Sequence, residues 1–216
     1  MVVRTLEADT LALIRIGKEG DEYALNTLFA RYHTRVLRIV RLRLNPELRE
    51  RLRLQSMDIV QEVFLHALKK LPDFEPTNEG SFIRWLSQIV LNVIRDQLDF
   101  VLAKKRASGG ECSLDQTITV STDHLRLRDL IAQEGTSPTQ YVLKRAIEDA
   151  VDDLLLELDE ADKEVIVQRK LEGLSYGEIA SSIGKSEDAV RKQFNRSFKK
   201  LILLAENKQV FQELKF

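Results

Sequence analysis

The stretch from Leu174 to Lys200 constrains the fold more strongly than any other part of this 216-residue chain. Ser175 and Glu178 stand three residues apart, which is the capping-box spacing that starts a helix. Gly184 then interrupts the helical pattern, and Ser186 offers a second helix start. Two short helices joined by a glycine-containing turn are typical of a helix-turn-helix.

The second helix of this pair has two different faces. Apolar residues recur at intervals of three or four and predict its buried side; they are Val190, Phe194, Phe198 and Leu201. The opposite side is mostly basic or amide-bearing and carries Asp188, Arg191, Lys192, Asn195, Arg196 and Lys199. Because the second helix of a helix-turn-helix enters the major groove, the pattern predicts a DNA-binding segment. A solvated two-helix hairpin is the alternative that the pattern leaves open.

Charge is distributed in blocks, although the net formal charge is only −1. Eight arginines oppose two glutamates between Arg31 and Arg53, and six basic residues oppose two acidic ones between Lys185 and Lys200. Between these blocks, the segment from Lys144 to Glu164 holds nine acidic and three basic residues. Such blocks predict that particular faces contact polyanions. For the first arginine block, a solvated face, phosphate contact and partner docking remain open.

The composition argues against several other classes of protein. A single cysteine, Cys112, cannot form an internal disulfide and fits a reducing cytoplasm. Three scattered histidines show no metal-ligand spacing, and no glycine-rich phosphate loop or nucleophile motif occurs. We therefore expect no metal, no cofactor, no catalytic residue and no enzymatic activity. Without a recognisable signal peptide, or an apolar run near the roughly 20 residues that cross a bilayer, we expect a cytoplasmic protein with no membrane insertion.

Helical periodicity continues through most of the chain and predicts an all-α fold with two helical domains. Amphipathic patterns predict helices over 23–44, 57–71, 81–106, 139–158 and 160–171 before the helix-turn-helix. The intervening segment 107–138 contains paired glycines and a polar run, which predicts a flexible linker. We therefore place an N-terminal helical domain at 1–106 and a C-terminal helix-turn-helix domain at 139–216.

Local signals predict where several helices begin and which side they bury. Ser56, Ser81 and Asp159 are predicted at helix starts, since short polar side chains accept hydrogen bonds from the first free amides. Periodicity predicts that Val142 and Leu143 lie on the buried side of their helix. The same reasoning predicts Ile179, Ala180 and Ile183 on the buried side of the first helix of the helix-turn-helix.

Several of these segments resemble the bacterial sigma factors, specifically the compact extracytoplasmic-function (ECF) group. Residues 58–64 (DIVQEVF) are similar to the polymerase-docking signature of that family. Residues 80–86 (GSFIRWL), followed by Asn92, resemble the segment that reads and opens the −10 promoter element. Residues 172–180 (EGLSYGEIA), followed by Gly184, resemble the −35-binding motif. Both halves of the family pattern occur in the expected order on either side of the predicted linker.

The resemblance implies a sigma factor that binds core RNA polymerase and directs transcription initiation at particular promoters. The residues implied in polymerase binding are Asp58, Gln61, Glu62 and Leu65. Those implied in −10 recognition are Ser81, Arg84, Trp85, Gln88, Asn92, Arg95, Lys104, Lys105 and Arg106. Those implied in −35 recognition are Ser175, Tyr176, Ser186, Glu187, Arg191, Lys192, Asn195 and Arg196. An anti-sigma factor is a further partner that the resemblance implies.

The residues leave one alternative of a different class, a helix-turn-helix regulator that acts without polymerase. Such a regulator needs no acidic docking face. Reversing the charge of Glu62 would leave its function intact, whereas a sigma factor would lose affinity for polymerase.

Overall fold

The computed structural model describes residues 9–44, 46, 49–50, 55–107, 138–206 and 208, with the side chains of 79, 102, 104–107 and 138–141 outside the description. These residues form an all-α fold, as predicted. The helices are α1 Thr10–Lys18, α2 Glu22–Arg43, α3 Ser56–Lys70, α4 Glu79–Ala107, α5 Pro138–Glu157, α6 Glu160–Ile166, α7 Tyr176–Ile183 and α8 Glu187–Glu206. A 3₁₀ turn at Leu71–Asp73 follows α3, and a π-helical turn at Val167–Leu171 extends α6.

Two aspartates start the first two helices. Asp9 accepts a hydrogen bond from the amide of Ala12 at 2.6 Å, and Asp21 accepts one from the amide of Ala24 at 2.7 Å. Each aspartate satisfies one of the amides that a helix start leaves free. Helix α1, of nine residues, was not among the helices predicted from the sequence.

Helices α2, α3 and α4 pack around a common apolar core. Its members are fully or almost fully buried and include Leu28, Val36, Ile39, Ile59, Val60, Val63, Phe82, Leu86 and Val90. Each such side chain contributes about 1.5–3 kcal/mol relative to an exposed position. The amphipathic stripes of the three predicted helices therefore meet each other, as their periodicity predicted.

Two predicted helix starts are displaced by local hydrogen bonds. Helix α3 begins at Ser56, not after it, and the cap position is Gln55, whose side chain makes no capping hydrogen bond. The Ser56 hydroxyl instead accepts from Arg49 at 3.3 Å. Helix α4 begins at Glu79, two residues before the predicted start at Ser81. Ser81 lies in the first turn, where its hydroxyl donates to the carbonyl of Asn78 at 2.5 Å.

The predicted signals of the C-terminal half are confirmed where they concern helix ends. Asp159 accepts from the amide of Asp162 at 2.9 Å and starts α6. Ser175 and Glu178 form the reciprocal capping box of α7. Gly184 then adopts the left-handed conformation, with φ of 65°, that lets the chain turn sharply after α7. Ser186 accepts from the amide of Ala189 at 3.3 Å, at the start of α8.

Four apolar residues that the periodicity placed in the core are exposed. Val142 and Leu143 are 65% and 49% exposed. They lie in the first turns of α5, which extend beyond the core, and the buried residues of this helix begin further along. Ile183 is exposed at the end of α7, next to the turn. Phe198 stacks on the ring of Phe194 but is 37% exposed. Periodicity identifies the side of a helix that is buried, but it cannot say how far along the helix a neighbour reaches.

Only the two end residues of the predicted linker 107–138 are described, and Ala107 ends α4 while Pro138 begins α5. The rest lies outside the described residues, and its flexibility stays a prediction. Among the described residues, no helix is both long and apolar enough to cross a membrane.

Candidate nucleic-acid and protein interfaces

The helix-turn-helix is fixed by aromatic packing between its two helices. The ring of Tyr176, at the start of α7, meets the ring of Phe194 of α8 edge-on, with centroids 5.7 Å apart. The guanidinium groups of Arg169 and Arg191 lie 4.7 Å and 5.5 Å from the centre of the Tyr176 ring, within the range of cation–π attraction. Tyr176 is half-buried, and its ring serves packing.

A buried carboxylate that the sequence analysis missed holds α8 against α6. Asp162 is 1% exposed and accepts hydrogen bonds from the hydroxyl of Ser197, at 2.6 Å, and from Lys200. Burial by itself raises the pKa of Asp162, but the hydrogen bonds from Lys200 and Ser197 outweigh it and lower that pKa to about 2. The sequence does not distinguish Asp162 from the other acidic residues of its segment. It is buried because α8 packs over it.

The predicted −35 residues at the start of α8 form an exposed face, although one of them, Arg196, also lies 3.6 Å from the carboxylate of Asp162. We call this surface the α8 face; its members are Ser186, Glu187, Arg191, Lys192, Asn195 and Arg196. Arg191 and Glu187 form an ion pair at 2.9 Å between half-exposed side chains, which is too weak to prevent either from finding another partner. Of the predicted −35 residues, Ser175 is also exposed, although its hydroxyl is used in the capping box.

Helix α4 brings three of the predicted −10 residues onto one exposed face. These residues are Gln88, Asn92 and Arg95. Their spacing of three and four residues aligns them along the helix, as expected for side chains that share one face. Amide and guanidinium groups in such a row can donate to base edges and to phosphates.

Two other predicted −10 residues are used inside the fold. The Ser81 hydroxyl is buried and also accepts from the amides of Thr77 and Asn78, at 3.2 and 3.4 Å. Trp85 stacks on Phe74 with ring centroids 4.6 Å apart and is half-buried. Both residues position the loop before α4. The side chains of Lys104, Lys105 and Arg106 lie outside the described residues.

Arg84 is held by the C-terminal half of the chain. It donates to the carbonyl of Gly173 at 3.3 Å, and its Nε lies 3.6 Å from a carboxylate oxygen of Glu178. It also donates to the side chain of Asn78 at 3.2 Å, which makes Asn78 a positioning residue that the sequence analysis did not single out. Nothing in the sequence marks Asn78 for this role, because polar residues are common in loops.

The predicted docking residues lie together on α3. Asp58 and Gln61 are exposed, whereas Glu62 and Leu65 are half-buried. Glu62 accepts a hydrogen bond from Gln97 of α4 at 2.8 Å, which ties this face to the helix that carries the predicted −10 residues. The arrangement presents an acidic, amide-bearing surface with one apolar member.

Comparison with known protein families decides what kind of protein this is. A family model described as ECF sigma factor matches residues 7–201, nearly the whole chain. The chain belongs to the ECF sigma factor family. This sigma factor binds core RNA polymerase and promoter DNA and directs transcription initiation, so the function implied by the resemblance is confirmed. Sigma factors are not enzymes.

Known relatives of this sigma factor match along most of its length. RNA polymerase sigma factor NccH of Alcaligenes xylosoxydans xylosoxydans is 29% identical over 199 residues, which cover 92% of this chain and 96% of NccH. The ECF RNA polymerase sigma-E factor of Haemophilus influenzae is 28% identical over 186 residues, which cover 86% of this chain and 89% of that one. A solved structure of CnrH in complex with the cytosolic domain of CnrY is similar with a TM-score of 0.48 and 25% identity, over 94% of this chain and 100% of that one.

Proposed function

We propose that the two halves of this sigma factor divide promoter recognition between them. In this proposal, residues 1–106 dock on core RNA polymerase and read the −10 element, residues 139–216 read the −35 element, and residues 107–138 link the two. The observation that carries it is that the exposed polar residues fall on two different helices, α4 of the N-terminal half and α8 of the C-terminal half. Two exposed helix faces on different halves of the chain suit two separated promoter elements.

The acidic surface of α3 is the proposed polymerase-binding site. Asp58 and Gln61 are free to meet a basic partner surface, and the half-buried Leu65 supplies an apolar contact beside them. Glu62 already accepts from Gln97, so docking would add a second donor to a carboxylate whose orientation is fixed. A fixed carboxylate loses less side-chain entropy on binding than a free one does.

The α4 residues are proposed to hold the −10 element once its strands separate. Asn92 can pair through its amide with the edge of a base that has left the stack. Arg95 and the basic run Lys104, Lys105 and Arg106 would follow phosphates. Arg84 joins them only after its contacts to the C-terminal half are broken. Ser81 and Trp85 would act by shaping the loop that frames this surface.

The α8 face is proposed to enter the major groove at the −35 element. Arg191 and Asn195 are suited to bidentate contacts with guanine and adenine, respectively, each worth about 1–3 kcal/mol of discrimination. Lys192 and Arg196 would bind phosphates, and Glu187 can accept from cytosine. The starts of α7 and α8, at Ser175, Tyr176 and Ser186, would face phosphates, because backbone amides at helix starts favour phosphate oxygens.

The proposal also covers the inhibition of this sigma factor, its cellular location and its lack of catalysis. An anti-sigma factor would silence it by covering these faces. We also propose that the protein acts in the cytoplasm, where polymerase and DNA are, and that it does no catalysis of its own. Its contribution is to position polymerase.

The proposal is tested by transcription from a library of random promoters with purified bacterial core RNA polymerase. The sigma factor should enrich templates that share two spaced motifs, and Glu62→Lys should abolish enrichment by weakening polymerase binding. Glu19→Lys, a charge reversal at an exposed residue after α1, is the matched control and should behave as the wild type. If Glu62→Lys also behaves as the wild type, the proposed docking surface is wrong.

A further inference from the structure

The two halves of the chain meet across a surface rich in arginine and carboxylate. On α2, Arg38 donates through Nε and Nη2 to Asp152 of α5, at 2.9 and 2.7 Å. Arg43 pairs with Glu172 at 2.6 Å and also with Glu164. The side chains of Asp152 and Glu172 are only 8% and 3% exposed, so these pairs are desolvated and are more than surface ion pairs.

Further arginines extend the same surface at its edges. Arg41 pairs with Asp149 at 2.9 Å in a more exposed position. Arg35 donates to the carbonyl of Leu171 at 2.6 Å and so caps the end of the π-helical turn. We call these four α2 arginines, with Arg84 of α4 and their C-terminal partners, the arginine–carboxylate latch.

The sequence already contains the charge complementarity that this surface uses. The first arginine block supplies one side, and the acidic segment from Lys144 to Glu164, together with Glu172 and Glu178, supplies most of the other. The open alternatives for the arginine block were solvent, phosphate and a docking partner. In the structure the docking partner is the other half of the same chain.

Backbone packing supports the ion pairs. Gly173 has φ of 76° and lies so close to the N-terminal half that an added Cβ would stand 3.2 Å from Cγ2 of Ile83. Ile83 is 2% exposed and belongs to α4. The two halves therefore approach within contact distance at the same point where Arg84 bonds to the Gly173 carbonyl.

We propose that this sigma factor holds itself closed through the arginine–carboxylate latch, and that the latch must open before promoter binding. Closure sequesters Arg84, a proposed −10 contact, against Gly173 and Glu178. It also neutralises the α2 arginines, which become available to phosphate or to an acidic polymerase surface only when the halves separate. The self-masking of Arg84 rests on the proposed function, whereas the closure itself does not.

Closure is measured on the full chain by fluorescence energy transfer between two dyes. The dyes are attached to cysteines introduced at the exposed positions Lys69 and Ser181, and Cys112 is replaced by serine. Arg38→Asp should lower the transfer efficiency, since it opposes Asp152 with a like charge. The exchanged pair Arg38→Asp with Asp152→Arg should restore it. Lys18→Asp breaks an ion pair to Glu75 inside the N-terminal half and should leave the efficiency unchanged.

A second pair of variants tests closure without a change of charge, in case a charge variant folds poorly. Gly173→Ala adds a methyl group at the point of contact, whereas Gly184→Ala adds one at a left-handed glycine with nothing within 4 Å. Both suffer similar backbone strain, but only Gly173→Ala should lower the transfer efficiency. Circular dichroism establishes that each variant retains its helices.

The functional consequence is measured as the affinity of each variant for a single-stranded −10 oligonucleotide. If about one molecule in ten of the wild type is open, an opened variant binds about tenfold more tightly. Transfer that stays unchanged in Arg38→Asp, or that does not recover in the exchanged pair, would overturn the latch. If the transfer changes as expected but the opened variants bind the −10 oligonucleotide no more tightly than the wild type, the latch is upheld and the proposed role of Arg84 in −10 binding is wrong.

Discussion

Arg38 and Asp152 lie 114 residues apart and form a bidentate ion pair in which both oxygens of the carboxylate accept from the guanidinium. Burial raises the pKa of Asp152, and the neighbouring Arg38 offsets that rise only in part. Because the burial depends on contact between the two halves, the pKa of Asp152 is an internal reporter of closure.

A variant that opens the latch should lower the pKa of Asp152 toward its ordinary value of 3.8. Arg43→Ala is suited to this test, because it removes the partner of the buried Glu172 without touching Asp152. The pKa is read from carboxyl carbon shifts by NMR. Asp162, whose pKa of about 2 depends on contacts within the C-terminal half, should not change. An Asp152 pKa that remains raised in this variant would show that Arg43 does not maintain closure.

The Asp162 network should stabilise the C-terminal half in a pH-dependent way. The pKa of Asp162 is lowered in the folded protein, so the folded state binds fewer protons there than the unfolded chain. Its stabilisation is present above the ordinary value of 3.8 and is lost as the pH falls toward about 2. Asp162→Asn should lower the free energy of unfolding at pH 7 by about 1–3 kcal/mol.

The measurement for Asp162 is urea unfolding followed through the amide signals of α8. The difference in free energy of unfolding between the wild type and Asp162→Asn should shrink as the pH is lowered from 5 to 2. Protonation of Asp162 removes the same interaction that the substitution removes. Asp153→Asn, at an exposed acid of the same half, is the control and should show little difference at any pH. A difference between Asp162→Asn and the wild type that is independent of pH would contradict this account.

Ser175→Ala should destabilise the helix-turn-helix by about 0.5–2 kcal/mol, the usual cost of losing a helix cap. The Ser175 hydroxyl accepts from the amide of Glu178 at 3.1 Å, and alanine cannot replace it. Ser175→Thr retains a hydroxyl and should recover most of the stability. Hydrogen exchange at the first amides of α7 measures the effect. If the threonine variant is stable but binds −35 DNA less well, Ser175 also contacts the DNA.

Replacing Lys192 or Asn195 by alanine should weaken DNA recognition in two different ways. Lys192→Ala should weaken binding to all duplexes and reduce the salt slope of log K by about 0.9, the value for one lost phosphate contact. Asn195→Ala should relax discrimination at one base pair by about 1–3 kcal/mol and leave the salt slope unchanged. Fluorescence anisotropy with matched −35 duplexes measures both. Lys144→Ala, at an exposed position on α5, is the control.

Local signals in the sequence predicted most of the helices and the chemistry of the exposed faces. The capping box at Ser175, the helix break at Gly184 and the cap at Asp159 were correct, because each depends on residues within one turn of each other. The resemblance to ECF sigma factors was also available from short motifs. The predicted site residues share faces because helical spacing alone determines which side chains align.

Sequence by itself determined an all-α fold, a helix-turn-helix and membership of the sigma factor family. Only the tertiary structure decided that Asp162 is buried, that Val142 is exposed and that Arg38 meets Asp152. Burial and long-range pairing depend on where distant helices pack, and a period of 3.6 residues carries no information about that distance. An arginine on a helix face therefore looks the same in sequence whether it meets water, phosphate or its own chain.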